Sequence, residues 1–118
     1  MIRLKRLSKS FSYAFRGLRK TYKEEQNIRV QIIIGSLVLF LAFFLGLSRI
    51  EFSIIIFLIV LVILMELANS AVERIADVLK PRINTYIKEI KDIMAAAVLL
   101  ASIMSVVVGL IIFWPYIF

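Results

Sequence analysis

Two long stretches without ionisable side chains constrain the fold of this sequence more than any other feature. They cover residues 30–48 and 93–118. Each reaches the length of about 20 apolar residues that a helix needs to cross the hydrocarbon core of a bilayer. Between them, residues 52–72 are apolar except for Glu66, Asn69 and a few hydroxyl groups. We therefore predict an all-α integral membrane protein with transmembrane helices near residues 30–47, 52–72 and 93–114.

The composition supports one small membrane-embedded domain over residues 1–118. Hydrophobic residues make up 62% of the chain and the mean hydropathy is +0.96, whereas soluble domains contain roughly 45–50% apolar residues. The chain has no cysteine and no histidine, which excludes disulfide frameworks, thiolate metal sites and a histidine base. A general base would therefore be a carboxylate, and a catalytic metal would be a hard ion such as Mg²⁺.

The basic residues predict the orientation in the membrane. Of the 15 lysines and arginines, nine lie at or before Arg29, and five more lie within residues 74–91. Because positive charge is retained on the cytosolic side, we place both segments there, and the turn at 47–51 and the C-terminus outside. Such clusters also occur in nucleic-acid-binding proteins, but the strong hydrophobicity between them favours an anionic membrane surface and phosphate ligands over nucleic acid.

The leader, residues 1–29, has a helical pattern of its own. Its apolar residues recur at spacings of three and four, while its basic residues lie largely on other faces; the apolar set is Leu4, Leu7, Phe11, Phe15 and Leu18. This pattern is typical of an amphipathic helix that lies on the membrane surface. A cleavable signal peptide is the alternative for the first span, but the leader is long and no A-x-A-like site follows the apolar run.

The connection between the second and third spans contains Lys80-Pro81. The proline disfavours helical backbone at the residue before it, so we predict that the second helix ends near Leu79. A short polar loop follows, and we expect the third helix to begin near Tyr86, before it enters the lipid.

Glu66 is the most informative polar residue because it interrupts an apolar span. An ionised carboxylate at that depth costs on the order of 2–3 kcal/mol even on gentle insertion scales, so it calls for a partner or a use. With Asn69, Glu73 and Asp77 it forms an i, i+3, i+7, i+11 series on one helix face. Its carboxylates call for a counter-charge, from a divalent cation or from Lys and Arg. Alternatively, the stripe only packs helices together through hydrogen bonds and salt bridges.

Other ionisable groups are predicted at the same level of the bilayer. Glu25 lies just before the first span, and Lys88, Lys91 and Asp92 lie just before the third. Carboxylates that suit magnesium, lysines that suit phosphate and a semi-buried base together indicate phosphoryl transfer, with a lipid hydroxyl as acceptor. The scattered glycines form no phosphate-binding loop, so a nucleotide site would be built from helix side chains.

These residues occur in segments that resemble the small prokaryotic diacylglycerol kinase family, which includes the undecaprenol kinases. The resemblance covers nearly the whole chain with the family's spacing. In chain order, the matching segments are Phe15-Arg16-Gly17-Leu18, Glu25-x-Asn27-x-Arg29, Glu66-Leu67-x-Asn69-Ser70-Ala71-x-Glu73-x-x-x-Asp77 and Lys88-x-x-Lys91-Asp92-x-x-Ala95-x-Ala97-Val98.

The resemblance implies a lipid kinase of bacterial cell membranes that uses ATP and Mg²⁺, with roles assigned by position. Glu66 matches the catalytic base and Asn69 a residue that supports it. Glu25 and Glu73 match the carboxylates that bind the magnesium of the nucleotide. The other matches are to nucleotide-binding positions: Arg6, Tyr13, Arg82, Asn84, Lys91 and Asp92.

The resemblance also implies a homotrimer whose active sites draw on more than one protomer. This agrees with the expectation that three helices cannot shield several carboxylates from lipid by themselves. The sequence departs from the common family pattern at a few positions: Ser70 replaces a threonine, Ala96 a glycine, and Asn84 and Gln31 histidines. These changes affect expectations for helix contact and nucleotide binding, not the base. The ending Val108-Gly109-Leu110-Ile111-Ile112-Phe113-x-Pro115 is more similar to the undecaprenol kinase branch.

The predicted function is therefore transfer of the ATP γ-phosphate to a lipid alcohol, undecaprenol or diacylglycerol, at the cytosolic face. One alternative is a non-enzymatic membrane assembly or channel subunit in which the polar stripe lines a pore. A second is a lipid-phosphate hydrolase, which the absence of histidine disfavours. The lipid-facing residues are generic, so they do not distinguish the two acceptors.

Overall fold

The computed structural model describes residues 3–79 and 84–118, which form four α-helices. Their bounds are α1 Leu4–Glu24, α2 Gln26–Leu45, α3 Arg49–Leu79 and α4 Asn84–Ile117. The all-α class is therefore confirmed. Within these residues, helices α2, α3 and α4 are long and apolar enough to cross a membrane, so the structure has three candidate membrane spans, as predicted. All three begin before the predicted apolar segments, because their polar first turns are also helical.

Helix α3 is central in the bundle, since it packs against both α2 and α4. Five of its six buried residues recur at helical spacing and form one stripe, which we call the buried stripe: Ile55, Leu58, Val62, Glu66 and Ser70. The α2 side of the contact includes Gly35, whose bare backbone lies against Ile59. On the buried stripe, Ile55 packs with Ala42 of α2 and with Ile112 and Phe113 of α4. The polar half of the stripe lies towards the C-terminal end of α3.

The short turn between α2 and α3 is fixed by capping interactions. Gly46 ends α2 in the left-handed conformation, with φ of 70°, which glycine adopts without steric cost. The Ser48 hydroxyl accepts from the Glu51 N–H at 3.2 Å, and Glu51 Oε1 accepts from the Ser48 N–H at 3.1 Å. This reciprocal pair is a capping box. The sequence Ser-x-x-Glu is a signal that the sequence analysis did not use.

The C-terminal end of α4 is tied to the same turn. The helix continues through Pro115 to Ile117, beyond the predicted span end near residue 114, because one missing N–H does not end a helix whose neighbouring bonds remain. This continuation brings the Tyr116 hydroxyl to Glu51, to which it donates a hydrogen bond.

The junction between α1 and α2 is a single extended residue, Glu25, with φ of −119° and ψ of 119°. The guanidinium of Arg29 donates to the carbonyls of Tyr22 and Lys23 at 3.0 and 2.7 Å, which satisfies acceptors at the end of α1. Helix α1 therefore ends at Glu24, and residues 26–29 of the predicted leader belong to α2. A cleft of about 340 Å³ lies between the C-terminal half of α1 and helices α2 and α3. The side chains that line this cleft include Phe15, Leu18, Ile32 and Ile63.

Candidate functional site

Glu66 lies on the buried stripe of α3, where the preceding members are apolar. Only 6% of its surface is exposed. Within the described ranges it is one of two buried polar residues, and the other, Ser70, lies one turn further along the same face. The structure thus places a carboxyl where helix packing would favour an apolar side chain, at the point where the stripe becomes polar.

Glu25 is brought to this point from the junction of α1 and α2. The Ser70 hydroxyl donates a hydrogen bond to Glu25 Oε1, and Nη2 of Arg74 lies 3.6 Å from the same oxygen. The Glu25 and Glu73 carboxylates interact electrostatically with the Glu66 carboxylate. Three predicted site residues are therefore neighbours, although Glu25 is far from the other two in sequence.

Asn69 does not contact Glu66 through a hydrogen bond; its amide donates to Glu73 Oε1 at 3.3 Å. The two residues are four apart on α3, a spacing at which helical side chains meet. Glu73 itself is exposed, and the contact orients its carboxylate. The expectation that Asn69 supports the base stays a prediction.

Lys91 of α4 forms an ion pair with Asp77 of α3, with 2.7 Å between Nζ and Oδ1. Asp92, the next residue, is exposed. The ion pair places the Lys91 ammonium beside Asp77, the last member of the polar series that begins at Glu66. A lysine ammonium has three donors, so the contact with Asp77 leaves others for a further anion.

Arg74 was missed by the sequence analysis as an individual site residue. Its Nη2 lies 2.8 Å from Glu24 Oε2, and its Nε donates to the Ser70 hydroxyl at 3.4 Å. The hydrogen bond from Arg74 holds the pKa of the Glu24 carboxyl below its ordinary value. Because Glu24 and Arg74 are 50 positions apart, no helical spacing pointed to the contact.

The remaining predicted nucleotide residues are distributed over α1 and the second connection. Arg6 and Tyr13 are exposed on α1, and the Arg16 guanidinium lies 5.5 Å from the centre of the Tyr13 ring. Arg82 lies outside the described residues. Of Asn84, only the backbone position at the start of α4 is described.

No group of three or more acidic, cysteine or histidine side chains within residues 3–79 and 84–118 is placed to hold a metal ion by itself. The carboxylates around Glu66 are hard oxygen donors. Magnesium characteristically binds through one or two carboxylates together with water and substrate phosphates. The donor set therefore suits a metal that arrives with a phosphorylated substrate.

Similarity to known proteins identifies the family of this chain. A family model described as prokaryotic diacylglycerol kinase matches residues 12–113, most of the chain. The chain belongs to the prokaryotic diacylglycerol kinase family.

Curated relatives agree with this assignment over nearly their full length. The undecaprenol kinase of Bacillus subtilis strain 168 is 36% identical over 95% of this chain and 91% of its own. The diacylglycerol kinase of Haemophilus influenzae is 35% identical over 94% of this chain and 95% of its own. The diacylglycerol kinase of Escherichia coli K12 is 29% identical over 94% and 91%, respectively.

Membership of the prokaryotic diacylglycerol kinase family confirms the predicted resemblance. It makes the chain a membrane lipid kinase, a phosphotransferase with an alcohol acceptor. The alternative of a non-enzymatic, pore-lining subunit has no support from the relatives.

Proposed function

We propose that this protein transfers the γ-phosphate of ATP to the hydroxyl of undecaprenol or diacylglycerol, and that Glu66 is the general base. The observation that carries the proposal is a buried carboxyl on an apolar helix face, next to two further carboxylates. A packing role alone would not require an acidic residue at this place. A base for a lipid hydroxyl, in contrast, has to lie on a membrane-spanning segment, as this carboxyl does.

Glu66 would act by taking the proton of the acceptor hydroxyl, and a general base has to lie within hydrogen-bond reach of that hydroxyl. Phosphoryl transfer requires little covalent help from the protein. Most of the catalytic effect would therefore come from holding the hydroxyl, the base and the phosphate in line.

Glu25 and Glu73 would hold the Mg²⁺ that accompanies ATP. Both are carboxylates beside Glu66, and each has one oxygen oriented by a hydrogen bond, from Ser70 and Asn69 respectively. When bound, the metal would neutralise negative charge on the transferred phosphoryl group. The protein's contribution is to fix these two oxygen donors relative to the base.

The nucleotide would lie on the cytosolic side of this cluster. Lys91, oriented by Asp77, and Asp92 are the proposed contacts from α4. Arg6, Tyr13, Arg82 and Asn84 complete the proposed set. Asn69 would support the base indirectly, through its contact with Glu73.

We further propose that the protein is a homotrimer in a bacterial cell membrane, with the N-terminus cytosolic and the C-terminus external. Helix α1 would lie on the membrane surface with its basic residues towards anionic lipid headgroups.

The orientation is tested with single cysteines. The chain has no cysteine, so single cysteines at Ser12 and Ser48 can be labelled in cells with a membrane-impermeant maleimide. Labelling of position 48 and not of position 12 is expected, and the reverse would contradict the orientation.

The base is tested by Glu66→Gln in purified protein in detergent. The substitution keeps size and hydrogen bonding but removes the proton acceptor, so we expect ATP-dependent lipid phosphorylation to fall by about 10²-fold or more. Glu51→Gln, at the other end of the same helix, is the matched control and should retain turnover. Unchanged turnover in Glu66→Gln, with both variants folded by size-exclusion chromatography and circular dichroism, would disprove the role.

The acceptor is tested with undecaprenol and diacylglycerol at equal mole fraction in the same detergent. The ratio of their kcat/KM values identifies the preferred substrate. Phosphorylation of neither lipid would contradict the proposed substrate class. Phosphate release from a lipid phosphate without nucleotide would instead indicate a hydrolase.

A further inference from the structure

We infer that Arg74 is a positioning residue that, together with Ser70, fixes Glu25 beside Glu66. The inference rests on the proposed role of Glu25 as a magnesium ligand. It adds a residue to which no role in the site has been assigned so far. Three features support it: the connections of Arg74, the place of Glu25 in the chain and the charge around it.

Arg74 and Ser70 form a continuous hydrogen-bond chain that ends on Glu25. Nε of Arg74 donates to the Ser70 hydroxyl at 3.4 Å, and that hydroxyl donates to Glu25 Oε1. The Ser70 side chain is 1% exposed, so it forms a rigid base for these contacts. Nη2 of Arg74 also lies 3.6 Å from Glu25 Oε1, whereas the described part of the chain offers Glu25 Oε2 no hydrogen bond or ion pair. A carboxylate oxygen therefore stays open for an incoming ligand.

Glu25 needs such a restraint because it is the extended residue between two helices. The helical hydrogen bonds of α1 and α2 do not fix its position relative to α3. Ser70 and Arg74 do, since they lie one and two turns beyond Glu66 on the same helix. Groups that orient a metal ligand from behind commonly affect metal affinity roughly 10–100-fold.

The second arm of Arg74 ties the surface helix to the same point. Nη2 lies 2.8 Å from Glu24 Oε2, at the last residue of α1. The guanidinium can therefore hold Glu24 and Glu25 at once, which its fork of donors permits. It also offsets repulsion among the neighbouring carboxylates. Loss of Arg74 should loosen α1 and misplace Glu25 together.

On charge alone, Arg74 would weaken magnesium binding, because a guanidinium near Glu25 repels a divalent cation. The two effects predict opposite changes in the magnesium requirement. Positioning predicts that removal of Arg74 raises the Mg²⁺ concentration for half-maximal turnover. Competition predicts that removal lowers it.

The first readout needs neither metal nor nucleotide. Spin labels are attached to Ser12→Cys on α1 and Val78→Cys on α3, in labelled protein diluted with excess unlabelled protein. Electron–electron distance measurements should give a narrow distribution for the parent and a broad one for Arg74→Ala. Arg74→Lys should be intermediate, since it keeps the charge but not the fork. Glu24→Gln should broaden the distribution partly, and Arg19→Ala, a matched loss of one positive charge on α1, should not.

The second readout is the Mg²⁺ dependence of lipid phosphorylation at saturating ATP. Arg74→Ala should raise the half-saturating Mg²⁺ concentration roughly tenfold, with maximal turnover close to that of the parent and partial recovery in Arg74→Lys. Arg19→Ala should match the parent.

The outcomes separate this inference from the proposed function. An unchanged distance distribution, an unchanged Mg²⁺ requirement or a lowered one in Arg74→Ala would overturn the inference. The proposed role of Glu25 as a magnesium ligand would still hold if Glu25→Gln raises the half-saturating Mg²⁺ concentration. If Glu25→Gln itself has no effect on the Mg²⁺ requirement, the proposed role of Glu25 fails, and the inference fails with it.

Discussion

Gly35 shows how a single residue sets the distance between two spans. A Cβ atom built on it would lie 2.7 Å from Cγ2 of Ile59 on α3. That methyl group sits on a β-branched side chain, whose χ1 has one strongly preferred value in a helix, so it has little freedom to move away. The absence of a side chain at Gly35 therefore permits the close contact of α2 and α3, as small residues commonly do in membranes.

Gly35→Ala is expected to destabilise the bundle by about 1–3 kcal/mol, the usual range for overpacking. The free energy of unfolding can be measured by titration with a denaturing detergent. Gly109→Ala is the control, because a Cβ there meets no atom within 4 Å and alanine is the better helix former. Equal stability of the two variants would show that the contact with Ile59 relaxes at no cost.

Helix α3 has different requirements at its two ends. Its first turn is capped by Ser48 and carries the acidic Glu51. Negative charge stabilises a helix at its N-terminal end, which is the positive end of the helix dipole. The last described turns of α3 carry the acidic Glu73 and Asp77, and negative charge is unfavourable towards the C-terminal end of a helix. Lys91 offsets part of this charge through its ion pair with Asp77. The carboxylates of the candidate site therefore lower the local stability of the C-terminal part of α3.

Ser48→Ala should lower the free energy of unfolding by about 1 kcal/mol, the typical cost of losing an N-terminal cap. Turnover of the folded protein should be retained, because the cap lies at the opposite end of α3 from Glu66. Ser53→Ala is the matched control; among the described residues, the Ser53 hydroxyl donates a hydrogen bond only to the Arg49 carbonyl in the preceding turn. A loss of stability no greater than that of Ser53→Ala would exclude a capping contribution.

As a whole molecule, the protein buries few side chains of its three spans within one chain. Most of the remaining apolar surface must face lipid or, in the proposed homotrimer, neighbouring protomers. The contact from Ser70 to Glu25 is within one chain, and Glu66 and Glu73 lie on the same α3. In the proposed homotrimer, the three carboxylates would therefore act from one protomer, and neighbouring protomers would complete other parts of the site.

Mixing Glu66→Gln protein with Glu25→Gln protein is therefore expected to restore no lipid phosphorylation. No protomer of a mixed assembly carries both carboxylates. Subunits are exchanged in detergent, and native mass spectrometry of mass-tagged protein verifies that mixed trimers form. Recovery of turnover would show that the base and the Glu25 carboxylate are supplied by different protomers. Absence of trimers in the parent protein would contradict the proposed assembly.

The sequence by itself determined the spans and the unusual place of Glu66. A run of about 20 apolar residues matches the length that a helix needs to cross the hydrocarbon core of a bilayer. A carboxylate within such a run can be recognised from the sequence alone. Helix α3 reaches Leu79, the last residue described before residue 84, so the end predicted there from Pro81 stays a prediction. The motifs around Glu66 and Lys91 also predicted the family.

Only the tertiary structure decided which residues meet Glu25. Helical periodicity tells which face a residue occupies, but not which residue of another helix lies opposite. The partners of Glu25 and Glu24 are 45 and 50 positions away in the chain, and the break at Glu25 that turns α1 back had no clear sequence signal. Long-range contacts of this kind depend on how helices pack, so Ser70 and Arg74 became visible as parts of the site only when α1, α2 and α3 were assembled.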